Sequence, residues 1–106
     1  MIKEDYIKLH KLLSEIYDEY NSESYEMKYG SNKSIRSKAE RNANNLRKRA
    51  FNYINRYPKS IDLMINENST AMDKAILMDE FNTSTWFDSD MSEFLDKIDE
   101  KIKLME

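Results

Sequence analysis

Few residues in this 106-residue chain have the types and spacing that chemistry requires. His10 is the sole histidine and there is no cysteine, so neither a thiolate nor a multi-imidazole zinc site can be assembled. As an acid or base His10 would need an orienting partner that the sequence does not identify, and its place at the border of an apolar helix face reads as a border packing or surface residue. Asp79 and Glu80 could act as paired carboxylates, but helix surfaces routinely carry such pairs. Asp88-Ser89-Asp90 opens like a calcium loop and then lacks the central glycine and the later ligands, so it reads as a helix cap. Loops that cradle phosphates need several glycines, and Gly30 is the only one. The expectation is a protein without catalytic residues, cofactor or metal.

Charge is more informative. Residues 33–60 hold nine Lys or Arg and one acid, whereas residues 61–106 hold four Lys and twelve acids, so a net charge of −3 hides a basic middle and an acidic end. Lys38, Arg41, Lys48, Arg49 and Arg56 share one side of a helical wheel with Asn45 and Asn52, a face that could run along phosphates while Asn reads base edges. In composition this face resembles arginine-rich RNA-binding helices. The bland reading is a solvated face that pairs with acids of the last helix. Glu93, Asp96 and Glu100 line one edge of that last helix and could occupy a basic groove on a partner protein, or could simply be solvated. Trp86 and Phe87, in a polar stretch, could anchor an interface or staple a loop to the core. Tyr25 and Tyr29 raise the same choice.

These groups must be positioned by helices. One Gly, one Pro and no Val oppose a strand-and-turn design, and 40% hydrophobic residues suffice for a core. Ile2, Tyr6, Leu9, Leu12, Leu13, Ile16, Tyr17 and Tyr20 recur at helical spacing, predicting a first helix over 2–20 or slightly beyond. Asn21 to Lys33 is expected to hold the first connection, with Gly30 as its turn or helix-stop residue, although Tyr25, Met27 and Tyr29 could extend the helix or pack as a short irregular arm. Ser34 is the expected cap of a basic helix over 34–57, ended by Pro58. Two short segments, 60–65 and 71–81, look apolar all round and are expected near the core or under a partner. After a polar connection over 82–88, capped by Asp88 or Ser89, the last helix is expected over 89–105.

The predicted fold is therefore all-α: one small compact helical bundle over 1–106, with three longer helices and one or two short buried ones. No apolar stretch approaches the roughly 20 residues that span a bilayer, and the N-terminus lacks a signal-peptide pattern. Together with the missing cysteines, this predicts a soluble, cytoplasmic protein without membrane contact. In size, acidity, Asn/Lys/Ile-rich composition and helical simplicity the chain looks like accessory proteins of bacteriophages and mobile elements. That resemblance implies a stoichiometric inhibitor or regulator of a larger host protein or protein-nucleic acid complex, of the anti-CRISPR, anti-defence, antitoxin or immunity type. A small nucleic-acid-binding regulator using the 34–57 helix is the alternative, and a structural or assembly subunit the third. A monomer or a homodimer would serve each.

Overall fold

The computed structural model describes residues 2–63, 71–82 and 84–105, and for 58, 62, 71, 73, 75, 80–82 and 84–90 the backbone alone. The helices are α1 (Lys3–Tyr29), α2 (Lys33–Arg56), α3 (Ala71–Asn82) and α4 (Ser84–Leu104), with a 3-10 segment, Pro58–Leu63, between α2 and α3. The described residues contain no strand, as the sequence predicts.

The first helix outruns its expected end. No Gly or Pro interrupts Asn21 to Tyr29, so helix formation propagates to Tyr29 and the connection shrinks to residues 30–32. At its start the Asp5 carboxylate accepts a 3.4 Å bond from the Ile2 amide, satisfying one otherwise orphaned donor. Gly30 does stop α1, but not through a left-handed conformation: its φ is −55° and ψ 143°. The glycine is required by close approach, since a Cβ there would lie 2.6 Å from the Glu26 carbonyl oxygen and 3.0 Å from Ile35 Cγ2. Arg36 Nη1 then donates to the Gly30 carbonyl at 2.9 Å.

Asn32, not Ser34, caps α2: its Oδ1 accepts from the Ile35 amide at 2.9 Å. The expected end holds, because Pro58 has no amide hydrogen to continue the ladder and instead opens the 3-10 segment. There Ser60 and Ile61 are buried, and the Ser60 hydroxyl finds no hydrogen-bond partner among the described residues. A buried hydroxyl without a partner costs stability, so Ser60→Ala is expected to leave the urea midpoint unchanged or to add about 1 kcal/mol of stability. A clear loss would show that the hydroxyl has a partner in solution.

The last helix also begins early, at Ser84, because nothing between Ser84 and Asp90 breaks a helix. Asp88 and Ser89 thus stand inside α4 and are not its cap, and Trp86 and Phe87 belong to its first turn, not to a loop.

The three-residue turn at 30–32 forces α1 and α2 into an antiparallel hairpin, the main packing unit. Tyr6, Leu9, Leu13, Ile16 and Tyr20 of α1 meet Ala43, Leu46, Ala50 and Ile54 of α2, and Met91, Phe94, Leu95 and Ile98 of α4 complete the core. Burial stops at Tyr20 on α1 and resumes only at Ala39 on α2, so the tip of the hairpin extends past the core. The radius of gyration of 14.9 Å accordingly exceeds the roughly 13 Å of a spherical domain this long.

The short helices are not uniformly buried. Ile61 joins the core and Leu63, Leu77 and Met78 pack partly against it, but Met72 is 72% exposed and Ile76 51%. Helix α3 packs on α4 and touches α2, leaving the edge with Met72 and Ile76, one turn apart, to solvent. The expected segment around Met64 and Ile65 lies outside the described residues.

Candidate interaction surfaces

Helix α2 turns its small residues inward. Ala39, Ala43 and Ala50 are buried, which lets α2 lie close to its neighbours and sends its long charged side chains outward. Lys38, Arg41, Lys48, Arg49 and Arg56 are all exposed, as are Asn45 and Asn52. Steps of three and four residues place them on one continuous outer stripe, as the wheel predicts.

The expected pairing of this stripe with acids of the last helix does not occur among the described residues. The acid that reaches it comes from α1: Glu19 lies 3.9 Å from Arg49, an exposed pair worth little. Arg56 rests 5.5 Å from the Tyr53 ring centroid, which positions its charge without neutralising it. For Lys38, Arg41 and Lys48 no ion pair is found among the described residues. On the Arg49 side the stripe borders a shallow groove of about 290 Å³ lined by Glu19, Glu23, Asn42, Asn45, Leu46 and Arg49.

The acidic edge of α4 is different. Glu93, Asp96 and Glu100 are exposed and aligned, but Lys97 lies 3.5 Å from Glu93 and Lys103 lies 3.0 Å from Asp99. Between Met91 and Leu104 four carboxylates face three lysines, so the outer side of this helix is a mixed-charge surface. On α4 two acids, Glu93 and Asp99, are paired with lysines of the same helix, whereas no acid of α2 itself is paired with its basic stripe among the described residues.

Sequence reasoning passed over Arg47, the one arginine of α2 that is buried. Its guanidinium donates to the Tyr20 hydroxyl at 3.3 Å and to Asn44 Oδ1, and lies 5.4 Å from the Tyr20 ring centroid. The signal was available, since Arg47 falls on the register of Ala43, Ala50 and Ile54 and not on that of Lys48. His10 is half-buried at the border of α1, with Nδ1 3.5 Å from the Ser14 hydroxyl. Tyr25 and Tyr29 project from the hairpin tip, 62% and 69% exposed, with ring centroids 4.9 Å apart. The side chains of Trp86 and Phe87 lie outside the described residues.

Among the described residues no three His, Cys, Asp or Glu side chains are grouped to hold a metal, and no helix is long and apolar enough to cross a membrane. No protein-family model, curated protein or solved structure matches the chain.

Proposed function

We propose that the chain is a non-catalytic interaction protein, an inhibitor or regulator that docks on a larger protein or protein-nucleic acid complex, of the kind bacteriophages and mobile elements encode. The observation that carries this reading is the exposed apolar edge of α3. Met72 and Ile76 give up the stabilisation that burial of such side chains provides, about 1.5–3 kcal/mol each, and a partner that covers them recovers it. Glu93, Asp96 and Glu100 supply a polar surface that fits the rim of such an interface, where charge sets orientation and encounter rate more than affinity.

Affinity capture from nuclease-treated host lysate tests it. The wild-type chain is expected to retain a defined protein complex. Met72→Ser with Ile76→Ser should lose it while keeping the helical circular dichroism, and Glu93→Lys with Asp96→Lys and Glu100→Lys should weaken it mainly through slower association. Retention of the same complex by all variants would remove both surfaces from the interface.

A further inference from the structure

We infer that the outer face of α2 is a docking surface for B-form duplex DNA, lying along the major groove with its cations on the phosphates and its asparagines toward the base edges. This surface is distinct from the apolar edge of α3 and stands without the protein-docking reading.

Three observations carry the assignment. The first is uncompensated charge: Lys38, Arg41 and Lys48 are exposed without an ion-pair partner among the described residues, and Arg56 faces an aromatic ring. The acids near the stripe are Glu19, already beside Arg49, with Glu23 in the same groove and Glu40 on the flank of α2. None interrupts the line from Lys38 to Arg56. The second is length. Eighteen residues separate Lys38 from Arg56, about 27 Å of straight helix at a rise of about 1.5 Å per residue. Duplex DNA carries a phosphate charge about every 1.7 Å of axis, so the stripe meets a polyanion along its whole extent.

The third is the order of residues across the stripe. At 3.6 residues per turn, Asn45 and Asn52 fall on its midline, two turns apart, with Arg41 and Lys48 to one side and Lys38 and Arg56 to the other. A helix about 10–12 Å across matches a B-form major groove about 12 Å wide, whose walls are phosphate chains and whose floor presents base edges. Cations on both flanks then reach the two walls while the midline amides face the floor, where Asn pairs bidentately with adenine. The deep, narrow major groove of A-form RNA does not admit a helix in this way.

Fluorescence anisotropy with labelled 20-base-pair duplexes tests the inference. Binding to a mixed-sequence DNA duplex is expected to fall with a log-log salt slope of roughly −3 to −4, about a hundredfold between 50 and 200 mM salt. Lys38→Gln with Arg41→Gln and Lys48→Gln should bring the slope close to −1, with unchanged circular dichroism. The same loss of charge on α4, Lys97→Gln with Lys101→Gln and Lys103→Gln, should leave binding nearly intact. A duplex of dA·dT should bind more tightly than one of dG·dC, and Asn45→Ala with Asn52→Ala should abolish that preference. Absence of salt-dependent binding at 50 mM salt, equal losses from the α2 and α4 variants, or tighter binding to duplex RNA or single-stranded DNA of the same length would overturn the assignment. Equal binding of the dA·dT and dG·dC duplexes would overturn the placement of the asparagines at base edges.

Discussion

Arg47→Ala is expected to destabilise the fold by about 3 kcal/mol, whereas Arg47→Met should change stability by less than about 1 kcal/mol. The asymmetry follows from what Arg47 touches. Its side chain is buried at a core register of α2, and its partners are the neutral groups Tyr20 and Asn44. Alanine removes the buried aliphatic stem, opens a cavity beside Tyr20 and takes away a donor to its hydroxyl. Methionine keeps most of the volume and relieves the cost of desolvating a guanidinium. Urea unfolding of both variants checks this, and a cycle with Tyr20→Phe should show a coupling of about 1 kcal/mol. If Arg47→Met were as damaging as Arg47→Ala, the charge and not the stem would be the stabilising part.

The second large effect concerns the spacing of the hairpin. Ala43 and Ala50 are fully buried in the core formed by α1, α2 and α4, so their Cβ atoms are enclosed by neighbouring side chains. Ala43→Leu adds three carbons at such a position, which forces neighbouring side chains off their rotamers or moves the helices apart, at a cost of about 2–3 kcal/mol. For a chain of this length that corresponds to a fall in Tm of roughly 10–20 °C. The exposed control Asn45→Leu, two residues away on the opposite side of the same helix, should shift Tm far less. A small effect at Ala43 would mean that the helices can separate without loss, contrary to close packing through small residues.

Sequence periodicity located most of the core, although Ile2 and Met105, expected on the same stripes, are exposed. The stripe Tyr6, Leu9, Leu13, Ile16, Tyr20 and the stripe Met91, Phe94, Leu95, Ile98 both appear as buried faces, because a step of three or four residues dictates the side a helix must hide. Element ends were less legible. Loop-like Asn and Ser between Asn21 and Tyr29 proved compatible with helix once nothing broke it, and Asn32 took the capping role expected of Ser34 because its Oδ1 reaches the Ile35 amide. The same absence of a breaker carried α4 back to Ser84.

The candidate surfaces divide in the same way. From the order of residues alone, Lys38, Arg41, Lys48 and Arg56 had to share a helix face, and Glu93, Asp96 and Glu100 another, since helical geometry is local. Whether those faces would neutralise each other was not a local matter. The tertiary structure placed the outer side of α2 away from the described acids of α4 and beside Glu19 of α1, while Lys97 and Lys103 of α4 stay with acids of their own helix. It also decided that Arg47 goes inside and that Met72 and Ile76 stay outside, against the apparent uniformity of α3. Charge, periodicity and helix type are properties of residues near in sequence; which charges remain unpaired and which apolar groups remain uncovered depends on helices far apart in sequence, and only their packing fixes that.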